Sequence, residues 1–333
     1  MEERRYKTEL GTIVYWVSYA QNCDDAFYNE GYLNTQSEEK LAEELSVSPD
    51  AAASVMFSRL KQNTSVSAPD FPLRQKAPKA PWLVFLPGLT ADHRLFNRQL
   101  SYFAETMNCL VWDPPAHGKS RPFKLDFSMD DLAIMLHDIL LSEHIENPIL
   151  IGQSMGGYVS QAFLSLFPGY AKGFVSIDSA PLACSYYHKW EIAALKHTKG
   201  MYSSIPWGML QRMTAKNCST TLYGQSLMRK IISHYNKKEF CELAAHGYKI
   251  LAEAIKKTES ESGANPFGRP NCPTLLLWGE NDQAAMAKKY NQQWALKTGL
   301  SFVEIPRAGH NSNTDAPDEV NRDIEIFVSE LGR

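Results

Sequence analysis

Six short apolar runs recur along the chain: WLVFLP (82–87), CLVWD (109–113), PILIG (148–152), GFVSID (173–178), PTLLLWG (273–279) and SFVEIP (301–306). Each is continuous rather than alternating, the pattern of a strand covered on both faces, as in a parallel sheet between two helical layers. Helical spacing fills the intervals. Over 128–145, Leu132, Met135, Leu136, Ile139 and Leu140 share one face, Ser128 can cap the start, and Asp130 and Asp131 suit the first turn. Residues 155–167 and 317–331 read similarly. This alternation predicts an α/β fold with a mainly parallel, doubly wound sheet.

Two segments break the alternation. Residues 182–266 contain no convincing buried strand but many helix formers and bulky side chains, among them Tyr186, Tyr187, Trp190, Met201, Trp207, Met209, Tyr223 and Met228. They predict an inserted helical cap. Residues 23–80 separate an early strand, GTIVYWVS, from WLVFLP, and hold two predicted helices, SEEKLAEELS and SPDAAASVMFSRLKQ, the second with Pro49 at a favoured first-turn position. A loop-like APDFPLRQKAPKAP follows. The expected organisation is a strand of the core in 1–22, a helical insertion and linker in 23–80, the core in 81–181 and 267–333, and the cap in 182–266.

The stretch LAEELSVSPDAAASVMFSRL also resembles a helix-turn-helix. A recognition helix needs several polar or basic groups for bases and phosphates. This one presents alanines, Val55, Met56 and Phe57, with Arg59 and Lys61 only near its end, so it reads as an inserted helical hairpin.

Composition narrows the picture further. At 333 residues, 44% hydrophobic and 21% charged, the chain can bury one large core, or a core with a smaller covering domain. A formal net charge of -3 gives no footprint for nucleic acid or for an anionic membrane, so neither is expected as a partner. MEERRYKTEL lacks an apolar signal core, and runs such as PWLVFL are far below a membrane span, which predicts a soluble, cytoplasmic protein. The six cysteines form no CxxC pair, so neither a metal cluster nor a disulfide framework is expected. Oligomeric state is left open.

The chemistry concentrates at ILIGQSMGGYVSQAF (149–163). PILIG is the strand and Met155 onward the helix, which leaves Gly152-Gln153-Ser154-Met155-Gly156 as the turn. A GxSxG turn in that context is a nucleophile elbow: it forces the serine into a strained conformation at the carboxyl edge of the sheet, and the flanking glycines avoid clashes. It also sets Ser154 at a helix N-terminus, whose unpaired N–H groups favour a developing negative charge.

A serine nucleophile needs a base, and the base an orienting carboxylate. LLLWGENDQ places Asp282 just past one strand end, and IPRAGHNSNTDAP places His310 past the next, giving the chain order Ser, Asp, His. Asp178, in VSIDSAP, is the rival acid. Glu280 and Asp315 read as solvated loop carboxylates. For the oxyanion, the Met155 N–H follows the nucleophile, and the Leu89 N–H in FLPGLT is the second donor, with Gly88 permitting close approach.

FLPGLTADHRLFNRQL, LVWDPPAHGKSRP, LIGQSMGGYVSQAFLSLFP, LLLWGENDQ and IPRAGHNSNTDAPDEVNRDIEIFV together resemble the successive signatures of the α/β-hydrolase fold superfamily. The resemblance covers about 80–180 and 270–330, plus the early strand. Two departures stand out: Pro87 occupies a place where many members carry histidine, and PPAHGKS replaces a common Gly-His-Gly loop, in which His117 reads as structural. The resemblance implies a cofactor-independent and metal-independent serine hydrolase acting on a small-molecule ester, thioester or lactone. The bulky Tyr186, Tyr187, Trp190 and Trp207, in a segment running from the strand end at Asp178 to the acid at Asp282, predict that the cap reads the substrate. A serine at the elbow argues against dehalogenase and epoxide-hydrolase relatives, which use aspartate there. Carbon-carbon bond hydrolysis, acyl transfer, lyase chemistry and ligand reception with little turnover remain open alternatives.

Overall fold

The computed structural model describes residues 1–20, 80–195, 198–261, 265, 268–284 and 286–332. The two helices predicted within 23–80, with their helix-turn-helix-like stretch, lie outside the described residues. The chain opens with strands β1 (Glu2–Lys7), β2 (Thr12–Ser18) and β3 (Trp82–Leu86), then runs through α1 (Asn97–Phe103), β4 (Asn108–Trp112), α2 (Met129–Ser142), β5 (Ile149–Gln153), α3 (Met155–Leu166) and β6 (Gly173–Ile177). Five helices follow: α4 (Lys189–Leu195), α5 (Thr198–Ser204), α6 (Trp207–Cys218), α7 (Leu222–Ile232) and α8 (Lys237–Glu261). The last part comprises β7 (Thr274–Gly279), α9 (Ala287–Thr298), β8 (Ser301–Ile305) and α10 (Pro317–Leu331).

The strands form one eight-stranded sheet in the order β1-β2-β4-β3-β5-β6-β7-β8. β1 with β2 and β2 with β4 are antiparallel, and all later pairs are parallel. Successive strand residues point to opposite faces. On one face Val84, Leu86, Leu110, Trp112 and Leu150 are buried with Leu132 and Leu136 of α2 and Val159 and Phe163 of α3. On the other, Leu83, Phe85, Val111, Ile149 and Ile151 are buried with Phe103 of α1 and Val320 and Ile324 of α10. Two-sided burial is why these strands read as continuous apolar runs. The strand order reverses around β3, since β4 lies on one side and β5 on the other. A crevice therefore opens beyond the carboxyl ends of β3 and β5.

Three elements depart from the sequence reading. β8 was expected to be covered on both faces, yet Ser301, Phe302 and Glu304 are exposed, because β8 is the terminal strand of the sheet and has a neighbour on one side alone. β1 was not anticipated: EERRYK carries charges that resemble a surface loop, and it forms the opposite edge, where charged side chains discourage further pairing. Helix α2 begins as expected, with a reciprocal capping box between Ser128 and Asp131, but stops before 145 because His144 has left-handed φ of 53°. No helix among the described residues is long and apolar enough to cross a membrane.

Candidate active site

Ser154 stands alone between the last residue of β5 and the first of α3, with φ 50° and ψ −114°. An L-residue adopts that conformation at a cost of order 1–3 kcal/mol, so its surroundings must hold it there. They do so through the backbone. The Ser154 N–H donates to the Ile177 carbonyl at 2.9 Å, and the Ser154 carbonyl accepts from the Gly157 N–H at 2.9 Å and the Ser179 hydroxyl at 2.8 Å. The flanking glycines are set by contact: a Cβ on Gly156 would lie 1.8 Å from the Leu86 carbonyl oxygen, and one on Gly152 2.4 Å from that of Gly156.

The turn after β8 brings His310 to the elbow. Its Nε2 lies 2.9 Å from the Ser154 Oγ, and its Nδ1 lies 3.0 Å from Oδ2 of Asp282, which follows β7. The other Asp282 oxygen accepts the Ala284 N–H at 2.8 Å. A carboxylate cannot donate, so Nδ1 carries the proton and Nε2 faces the serine as an acceptor. Burial opposes a charge on His310, but the adjacent Asp282 carboxylate outweighs it, and the net effect raises the imidazole pKa above 6.5.

Asp178, the rival acid, makes no such contact. Its two oxygens accept the Gly279 N–H at 2.7 Å and the Ser312 N–H at 2.8 Å, tying the ends of β6 and β7 to the chain just beyond His310. Burial, followed by repulsion from Asp282, raises its pKa above the carboxylate range. Asp315 is no solvated loop carboxylate. It accepts the N–H groups of Gly309 and Thr220 at 2.9 Å and of Thr221 at 3.1 Å, together with the Ser219 hydroxyl, because the turn between α6 and α7 packs directly on the His310 loop. Glu280 stays at the surface, accepting the Arg307 N–H.

Sequence reasoning missed Gln153. Its side-chain amide donates to the His310 carbonyl at 2.8 Å and to the Asn311 Oδ1 at 3.1 Å, which joins the elbow to the histidine loop. Its place beside the nucleophile was the one signal.

The turn after β3 approaches from the other side. A Cβ on Gly88 would lie 3.0 Å from the Ser154 Cβ and would meet the Gln153 side-chain oxygen, so glycine lets this turn approach the serine without displacing either side chain. Leu89 therefore flanks the serine, and Met155 opens α3, where helix geometry leaves its N–H without an intrahelical acceptor. Between them begins a narrow cavity of about 20 Å³, lined by Pro87, Leu89, Trp112, Met155, Val159 and, across from them, a stripe of α8. That stripe, Leu243, His246, Gly247 and Ile250, has plain helical spacing and was not singled out, because sequence alone does not separate it from core. His117 lines the cavity as well.

The four aromatic residues expected to read substrate line none of this cavity. Trp190 is 68% exposed on α4. Trp207 packs its ring on Phe240, 5.4 Å between centroids. Tyr186 is buried with Lys297 over its ring, and Tyr187 rests on Tyr290 while its hydroxyl donates to the Pro181 carbonyl at 2.7 Å. Bulk and segment suggest these residues, and the wall of this cavity is instead supplied by α8.

Among the described residues, Asp92, His93 and Asp113 gather potential metal-ligand atoms within 4.8 Å, but protein contacts already occupy them. Arg94 pairs with Asp92 at 2.7 Å, and the His93 Nδ1 lies 2.8 Å from Asp113.

A family model described as alpha/beta hydrolase family matches residues 83–323. The chain is 37% identical over 246 residues to a 2-succinyl-6-hydroxy-2,4-cyclohexadiene-1-carboxylate synthase of Escherichia fergusonii, covering 72% of this chain and 90% of that one. It is 27% identical over 258 residues to an sn-1-specific diacylglycerol lipase of Danio rerio, covering 74% and 78% respectively. In fold it is similar to the crystal structure of the enol-lactonase from Burkholderia xenovorans LB400, with a TM-score of 0.58 at 20% identity over 77% of this chain and 94% of that one.

Proposed function

The chain belongs to the alpha/beta hydrolase family, and from that premise we propose that it cleaves a carboxylic ester, thioester or lactone through an acyl-enzyme on Ser154. The observation that carries the reading is the continuous contact from the Ser154 Oγ through the His310 ring to Asp282. His310, neutral and with Nε2 free of a proton, takes the serine proton as Oγ attacks the carbonyl carbon. Asp282 holds the tautomer and stabilises the imidazolium so formed. The Leu89 and Met155 N–H groups receive the oxyanion. His310 then protonates the departing oxygen or sulfur, and water, deprotonated by the same imidazole, releases the acyl group and regenerates Ser154. The reading needs neither cofactor nor metal.

Residues 182–266 act in this scheme as the cap. The α8 stripe forms part of the wall of the cavity beside Met155 and Leu89. The name of the diacylglycerol lipase relative, and of the enol-lactonase with the same fold, agrees with ester or lactone chemistry. The synthase relative, at the higher identity, favours a second reading, in which the same serine and histidine promote a non-hydrolytic step. Turnover of a panel of p-nitrophenyl esters, thioesters and lactones, with fluorophosphonate labelling, separates the two. Hydrolysis and labelling that both vanish in Ser154→Ala support the hydrolase, whereas a folded protein that turns over none of the panel contradicts it.

A further inference from the structure

Gln153, the last residue of β5, is 1% exposed and precedes the nucleophile directly in the chain. Both hydrogens of its amide are taken by the histidine loop, one by the His310 carbonyl at 2.8 Å and one by the Asn311 Oδ1 at 3.1 Å. A carbonyl can only accept, so the amide nitrogen must face that loop, and Oε1 is left toward the turn after β3, 2.3 Å from where a Cβ on Gly88 would stand. Other ties of the same loop lead elsewhere. Asp315 takes the Gly309 N–H and Cys218 the Asn311 N–H, both joining the loop to the turn between α6 and α7, while Asp178 holds the Ser312 N–H from the end of β6.

During turnover the Ser154 Oγ leaves His310 for the carbonyl carbon, and the ring then keeps its place through Asp282 and through its own main chain. The Gln153 amide fixes that main chain to a residue sharing a peptide bond with Ser154, so base and nucleophile are held to the same short stretch of backbone. We propose that Gln153 is a positioning residue: its amide sets the His310 main chain against the elbow, and thereby the reach of Nε2 to the Ser154 Oγ. It is not among the residues lining the cavity beside Met155, so it acts on the geometry of the base rather than on the substrate. The inference rests on the acyl-enzyme reading, in which His310 takes the Ser154 proton.

The test measures kcat and KM for p-nitrophenyl butanoate, and the rate of fluorophosphonate labelling at Ser154, in Gln153→Met, Gln153→Asn and Gln153→His. Methionine matches the length of glutamine without a donor, so kcat and labelling should both fall about 10²-fold while KM stays within about twofold, as for a base displaced by about 1 Å. The acid limb of kcat/KM should keep its place, because the contact of His310 with Asp282 is intact. Histidine carries its Nε2 the same number of bonds from the backbone as the glutamine nitrogen and can donate there, so Gln153→His should stay within about fivefold of the wild type. Gln153→Asn keeps the amide but falls one methylene short of the loop, and it should lose kcat as Gln153→Met does, which decides the matter where the methionine variant fails to fold. Unchanged kcat and labelling in a folded Gln153→Met or Gln153→Asn, a loss confined to KM, or a histidine variant as slow as the methionine one overturns the proposal. Ester turnover that vanishes in Ser154→Ala yet ignores these substitutions would overturn the positioning role alone. A wild type that neither hydrolyses esters nor takes the label would overturn the acyl-enzyme reading and this inference with it.

Discussion

At the scale of single residues, His310 is the group whose charge state sets the working pH. It must be neutral to accept the Ser154 proton, and its pKa is raised by Asp282 against the opposing effect of burial. Activity is therefore present above the folded-state pKa and lost as pH falls through it, with the acid limb of kcat/KM centred above the ordinary 6.5. Asp282→Asn should lower kcat by about 10⁴-fold, as for the loss of an orienting aspartate elsewhere, and should move that limb to lower pH. Asp178→Asn, which weakens an anchor for Gly279 and Ser312 but leaves the ring contact intact, should cost less. A pH-rate profile of both variants decides it, and the reverse order of effects would assign the acid to Asp178.

At the scale of elements, α8 lines the cavity beside Met155 and α4 does not. Leu243→Ala or Ile250→Ala should widen the cavity and shift kcat/KM across an acyl-length series toward longer chains, while Trp190→Ala, on an exposed position, should leave those ratios unchanged. A shift produced by Trp190→Ala, with none from α8, would show that a different helix faces the substrate. Ser154 and Asp282 were legible in the sequence because each sits just past a buried strand that announces itself as an unbroken apolar run, and His310 because it lies past SFVEIP, whose run marks a strand although β8 is half exposed. Gln153, Asp315 and the α8 stripe were not. Their roles depend on which loop or helix packs against which, and no local pattern encodes that. The two edges fail for a related reason: charged EERRYK pairs on one side as β1, and apolar SFVEIP stays half exposed as β8, because position in the sheet outweighs composition.

For the molecule as a whole, the helices between β6 and β7 are not loosely attached. Asp315 gathers donors from Gly309, beside His310, and from Ser219, Thr220 and Thr221 between α6 and α7, while the Asn311 N–H donates to the Cys218 carbonyl at 2.7 Å. Asp315→Ala removes an ionic acceptor shared by the two parts, which should cost about 3 kcal/mol of stability and release the histidine loop. Chemical denaturation should register that loss, and kcat should fall more than tenfold for esters of every length. A stability loss with unchanged kcat would show that the junction carries structure alone.

The central claim is a covalent one: the acyl group passes through Ser154. Rapid acid quench of the protein during turnover of a p-nitrophenyl ester, followed by peptide mass spectrometry, locates that group directly. The expected result is an acyl adduct on the peptide containing Ser154, formed in the burst of p-nitrophenol release and absent from Ser154→Ala. An adduct on another residue, or sustained hydrolysis by Ser154→Ala with no acylated peptide, would contradict the account.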